Sequence, residues 1–164
     1  MREAILRYLS ASPGASTSMV ARHLGTNAST ADYHLRRMRK DGLVGAHEGG
    51  RVIAWYAAGC GLCPVVRSLV PALRHPPFEA TLRALGEVPA HAPWIAQQAG
   101  VDAAQARWAT AKLVAVGVAV RSPSGKVRLA EGASLCARKT LGAEPCDLWG
   151  KCPVSRARTQ RRDG

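Results

Sequence analysis

One short stretch of the chain, residues 28–42, concentrates side chains that could bind nucleic acid. Hydroxyl groups and rings come first along it and cations follow: Ser29, Thr30, Tyr33, His34, Arg36, Arg37 and Lys40. Small polar groups suit hydrogen bonds to base edges in a DNA major groove, while Arg and Lys suit phosphate oxygens. The alternative interpretation is a solvated basic face on an ordinary globular protein.

A helix is the element that would present these side chains together. Its apolar positions are spaced three and four residues apart: Ala31, Leu35 and Met38. This spacing predicts one narrow buried stripe, with the polar groups on the opposite face. Asn27 or Ser29 can cap the start of the helix, and Gly42 can end it.

The composition agrees with a polyanionic partner. The 164 residues carry a net charge of +12, and nucleic acid is the usual partner of so basic a chain. No apolar run is long enough to span a bilayer, and the N-terminus lacks the apolar core of a signal peptide. We therefore expect a cytoplasmic protein with no membrane partner. Sequence motifs of enzymes, such as a Gly-rich phosphate loop or a nucleophile elbow, are absent, so we expect no catalysis.

Elements on both sides of residues 28–42 complete a small fold. A first helix is predicted over residues 2–10, and a second over residues 19–24 with Thr17 or Ser18 as its cap. A three-residue turn then leads into the third helix, which is the helix-turn-helix arrangement. Two strand-like runs around Gly49 and Gly50 predict a β-hairpin, or wing.

The wing and the third helix carry a family resemblance. The chain has Tyr-His-Leu-Arg-Arg-Met from Tyr33 and Asp-Gly-Leu-Val from Asp41, and its predicted wing ends in Trp55 and Tyr56. In these motifs the first 58 residues resemble ArsR-type winged-helix regulators, most closely the archaeal-type regulators with two winged helices in tandem. The resemblance implies a DNA-binding regulator of transcription. Arg51, at the wing tip, would contact phosphate or the minor groove.

An internal repeat favours a tandem arrangement. A shift of 75 positions aligns these residues without a gap: Gly25 with Gly100, Ala28 with Ala103, Ala31 with Ala106, Tyr33 with Trp108, Met38 with Leu113, Gly42 with Gly117, Gly50 with Gly125, Arg51 with Lys126 and Val52 with Val127. The repeat predicts a second winged helix over residues 77–131. Trp94 and Trp108 fall on positions that we interpret as core packing.

The two copies differ in the residues that their third helices offer. The second copy has Arg107 and Lys112 among many alanines, which have little to hydrogen-bond a base with. Our hypothesis is that the first copy recognises DNA sequence, while the second dimerises or holds phosphate weakly.

Five cysteines could form a metal site, because a reducing cytoplasm disfavours structural disulfides. The spacing of Cys60 and Cys63 lets two thiolates bind one metal ion. Cys146 and Cys152 are our first choice for the other two ligands, with Cys136 as a substitute. Metal binding would then supply folding free energy to the C-terminal extension.

The identity of the cofactor stays open between two candidates. The single Cys-x-x-Cys pair and the two Cys-Pro dipeptides favour an iron–sulfur cluster over Zn²⁺. A third interpretation is that the cysteines are free and pack as small apolar residues. A cluster would make the protein a redox- or iron-responsive switch.

The sequence therefore predicts a mainly α-helical protein with small β-wings. Its predicted parts are winged helix-turn-helix 1 over 1–59, a junction over 60–76, winged helix-turn-helix 2 over 77–131, and a Cys-containing extension with a basic tail over 132–164. We expect a sequence-specific regulator that binds double-stranded DNA as a homodimer. The alternative is an adaptor subunit of a nucleic-acid machine, since tandem winged helices with a cysteine-bound cluster also resemble accessory subunits and initiation factors of RNA polymerases.

Overall fold

The computed structural model describes residues 1–48 and 52–142. The chain divides into two compact units, Met1–Gly61 and Leu62–Gly164. Both are mainly helical and each contains a small antiparallel sheet. Within the described ranges, no helix is long and apolar enough to cross a membrane.

The described residues of the first unit form three helices and a three-stranded sheet. In chain order its elements are α1 (Arg2–Ala11), β1 (Ala15–Ser16), α2 (Thr17–His23), α3 (Ala28–Lys40), β2 (Val44–His47) and β3 (Ala54–Ala57). The sheet order is β1-β3-β2, with both pairings antiparallel. The predicted hairpin is therefore present as β2 and β3, but the sequence analysis missed β1. The turn that joins β2 to β3, including Arg51, lies outside the described residues.

The core of the first unit explains why α2 starts where it does. Trp55 on β3 is almost fully buried, and its indole N–H donates to the Thr17 hydroxyl at 3.0 Å. Helix α2 begins at Thr17, and the Ser16 side chain accepts a hydrogen bond from the Met19 amide at 3.3 Å. The predicted caps, Thr17 and Ser18, are thus wrong, because Ser16 supplies the capping oxygen.

The second unit contains more helix than the sequence indicated. Its described elements are α4 (Pro64–Leu69), a 3₁₀ helix (Val70–Arg74), α5 (Pro76–Ala84), α6 (Ala92–Ala99), α7 (Ala103–Ala115), β4 (Ala119–Arg121), β5 (Val127–Leu129) and α8 (Ser134–Gly142). Helices α5, α6 and α7 pack on one another around the buried side chains of Phe78, Ile95 and Leu113. Strands β4 and β5 pair antiparallel and follow α7.

The segment interpreted as a junction contributes to the core of this unit. Val65, Val66 and Leu69 of α4 are buried, and α4 packs against α8. Helix α8, which belongs to the predicted extension, therefore packs against α4 of the predicted junction.

One prediction about aromatic residues is wrong. The sequence predicts that Trp94 and Trp108 lie in the core, whereas their exposed fractions in the structure are 51% and 39%. Trp108 aligns with Tyr33, whose exposed fraction is 58%. The repeat preserves an outward-facing position here, since only one edge of each helix meets the core.

Candidate nucleic-acid interface

Helix α3 is fixed by its two ends and by its buried stripe. The Asn27 side-chain oxygen accepts a hydrogen bond from the Thr30 amide at 2.8 Å, so Asn27 is the cap of the two candidates offered by the sequence. The predicted stripe is confirmed, because these side chains are fully buried: Ala31, Leu35 and Met38. Gly42 follows the helix with φ of +72°, a left-handed conformation that ends it at the predicted place.

The opposite face of α3 carries the predicted site residues. Exposed members of the set are Ser29, Tyr33, Arg36, Arg37 and Lys40. Thr30 and His34 are half-buried beside them. A surface cleft is lined by Tyr33, Arg36, Arg37, Arg39, Lys40 and Asp41. The structure thus brings the predicted residues of α3 onto one accessible face.

Carboxylates offset part of the positive charge on this face. The Arg36 guanidinium lies 2.6 Å from the Asp32 carboxylate, one helical turn away. Arg39 lies 2.5 Å from Glu48, directly after β2. Both pairs are exposed, so they stabilise the fold little. Their consequence is electrostatic, because two of the arginines carry compensating negative charge beside them.

The remaining exposed cations of α3, Arg37 and Lys40, have no carboxylate at ion-pair distance among the described residues. Arg37 instead donates a hydrogen bond to the Tyr33 hydroxyl at 3.3 Å. This hydrogen bond, and then the nearby charge of Asp41, raise the pKa of Arg37 above its ordinary value. Tyr33 therefore orients a permanently charged group on the accessible face.

The sequence analysis did not assign roles to Asp32 and Glu48. The Asp32–Arg36 pair had a local signal, since an acid and a base four residues apart on a helix face one another. Arg39 and Glu48 belong to different elements, and no periodicity predicts their contact.

The structure describes three of the five cysteines. Cys60 is half-exposed, whereas Cys63, at the start of α4, and Cys136, in α8, are buried. Cys146 and Cys152 lie outside the described residues. In the ranges 1–48 and 52–142, no group of three or more His, Cys, Asp or Glu side chains could hold a metal ion. The four-thiolate site thus stays a prediction.

Comparison with known families gives an independent result for the first unit. Residues 1–44 match a family model described as a helix-turn-helix domain. The match spans α1, α2 and α3 in full and reaches the first residue of β2. A search of curated proteins found no match. Because helix-turn-helix domains bind DNA through the helix that α3 represents, the match supports a DNA-binding regulator of the winged-helix type.

Proposed function

We propose that this protein is a sequence-specific regulator of transcription that inserts α3 into the major groove of double-stranded DNA. The observation that carries the proposal is the accessible face of α3, where Arg37 and Lys40 form no ion pair among the described residues, within a matched helix-turn-helix domain. In the proposed complex, Ser29 and Thr30 contact base edges from the first turn. Arg37 and Lys40 contact phosphates from the last turns.

We also propose that the second unit is a second winged helix. Its order of α5, α6, α7, β4 and β5 repeats the helix–helix–helix–hairpin order of the first unit. Helices α3 and α7 each contain 13 residues and follow a side-chain cap at matching positions of the repeat. A homodimer would present two copies of α3 to a two-fold symmetric DNA site.

The test is selection of bound sequences from a random pool of duplex DNA by the full chain. We expect enrichment of a palindromic motif, and we expect weaker binding of the same motif by Arg37→Ala, because one phosphate contact is lost. Arg7→Ala is the matched control, since Arg7 is an exposed arginine of α1 paired with Glu3. Absence of enrichment with the wild-type chain would contradict the proposal and favour the adaptor alternative.

We further propose that Cys60, Cys63, Cys146 and Cys152, with Cys136 as a substitute, bind an iron–sulfur cluster or Zn²⁺. The support is the sulfur donor set and its spacing. Absorbance and metal content of protein purified without air distinguish the two cofactors. A colourless, metal-free protein with full DNA affinity would contradict both, and would return the cysteines to a packing role. This proposed regulator binds and does not catalyse.

A further inference from the structure

Helix α7 keeps the frame of α3 and one of its cations, since Lys112 aligns with Arg37, but it lacks most of the other polar groups of that face. At three positions that match cations or hydroxyls of α3, α7 has alanine: Ala104 in place of Ser29, Ala111 in place of Arg36 and Ala115 in place of Lys40. Its cap is Asp102, which accepts a hydrogen bond from the Gln105 amide at 2.8 Å, where α3 has the neutral Asn27. A carboxylate at the end that would approach the bases repels phosphate.

The exposed face of α7 contains a mainly apolar groove beside Trp108. The groove is lined by His75, Pro76, Pro77, Ala104, Gln105 and Trp108. The Trp108 ring makes edge-to-face contacts with His75 and Phe78, at centroid distances of 5.5 and 5.9 Å. Trp108 is thus held in one position while 39% of its surface stays exposed. An ordered, exposed tryptophan beside prolines is typical of protein contact sites rather than of DNA contacts.

Charges at the two ends of α7 indicate which protein occupies the groove. The Asp102 carboxylate lies at the N-terminal end, and the Lys112 ammonium lies 5.5 Å from the Trp108 ring centroid, towards the C-terminal end. Position 107, beside Trp108, is midway between them. A two-fold axis there, perpendicular to the helix, places each Asp102 beside the Lys112 of the other copy. Arg107 lies on the other flank, where its long side chain reaches solvent.

We infer that the Trp108 groove binds a second copy of this chain, with α7 antiparallel to α7 of the partner. The contact is self-complementary: apolar surface meets apolar surface, and Asp102 meets Lys112 twice. This inference deepens the proposed function, since such a dimer carries two copies of α3. It is nevertheless tested without DNA, so that the two can fail separately.

The experiment is sedimentation equilibrium of the full chain over a range of concentrations in the absence of DNA. We expect a dimer whose dissociation constant rises at least tenfold in Trp108→Ala. Trp94→Ala is the matched control, because Trp94 is an exposed tryptophan on α6 that does not line the groove. A monomeric wild-type chain, or equal effects of the two substitutions, would overturn the inference.

A second variant protects the test against simple misfolding of Trp108→Ala. Ala104→Glu places a charge in the groove, yet an acid in the first turn of a helix favours the fold. We expect this variant to be folded by circular dichroism and monomeric by sedimentation. A dimeric Ala104→Glu would count against the groove.

A separate substitution tests the proposed pairing of Asp102 with Lys112 of the other copy. Lys112→Glu should weaken the dimer at least tenfold, because it puts two carboxylates side by side, whereas Lys126→Glu on the exposed end of the second hairpin should not. Equal weakening by both would refute the predicted register. If a monomeric variant still binds DNA, the proposed function is retained. If the wild-type chain dimerises but enriches no DNA sequence, the dimer is retained and the proposed function is contradicted.

Discussion

The substitution Arg37→Ala should change the salt dependence of DNA binding more than the double substitution of Asp32 and Arg36 by alanine. Arg37 carries a charge that no carboxylate pairs with in the described residues, whereas Arg36 lies 2.6 Å from Asp32. Loss of Arg37 removes one net positive charge from the face of α3. The double variant Asp32→Ala/Arg36→Ala removes one charge of each sign, so the net charge of the face is unchanged.

The expected size follows from counterion release. Each phosphate contact contributes about −0.9 to the slope of log K against log salt. Arg37 and Lys40 together then contribute about −1.8 to this slope. Their contribution to the DNA-binding constant therefore falls about 12-fold between about 50 and about 200 mM salt. With Arg37→Ala the same change in salt reduces this contribution only about 3.5-fold. The double variant should retain the wild-type slope.

Fluorescence anisotropy titrations with the selected duplex, at four or more salt concentrations, measure these slopes. Circular dichroism confirms that each variant is folded. The reasoning is refuted if the double variant loses as much slope as Arg37→Ala. That outcome would mean that Arg36 leaves its exposed partner for a phosphate when DNA is bound, as the small energy of surface ion pairs permits.

Three further substitutions test the frame around this face. Asn27→Ala should lower the free energy of unfolding by about 1 kcal/mol, measured with urea, because the α3 cap is lost, while Asn27→Asp should retain the acceptor. Glu48→Ala should release Arg39 and make the salt slope more negative by as much as about 0.9, and an unchanged slope would count against a DNA-facing Arg39. Trp55→Phe should destabilise the chain by about 1–3 kcal/mol through the lost hydrogen bond to Thr17 and the space left behind; a neutral result would show that this contact contributes nothing.

Local signals predicted the three helices of the first unit, but not α4 or α8 of the second. The bounds of α3 follow from a cap, an apolar period and a glycine that adopts positive φ, all of which lie within 16 residues of sequence, Asn27–Gly42. Strand β1 had no such signal. It is two residues long and exists through pairing with β3, where Ala15 lies opposite Trp55. Non-local partners are the reason that β1 and the Arg39–Glu48 pair could not be predicted.

The error at Trp108 has a different cause. Trp94 and Trp108 fall on repeat positions that the sequence analysis interprets as core packing, although large aromatic side chains are often partly exposed. The repeat contained a better guide, since Trp108 aligns with Tyr33, and Tyr33 had already been placed on the exposed face of its helix. The exposure of Tyr33 thus indicates correctly that Trp108, at the aligned position, is exposed as well.

The different surfaces of α3 and α7 are best explained by function, because folding does not require them. The buried stripe of α3 is repeated in α7 at the same register: Ala106, Thr110 and Leu113 are fully buried. At the middle position a threonine replaces Leu35, and its hydroxyl is satisfied by donating to the Ala106 carbonyl at 2.8 Å. Core positions limit volume and polarity, whereas exposed positions change stability by only small amounts. The fold thus does not determine which exposed residues α3 and α7 carry. Different binding partners would explain why α3 has cations where α7 has an apolar groove.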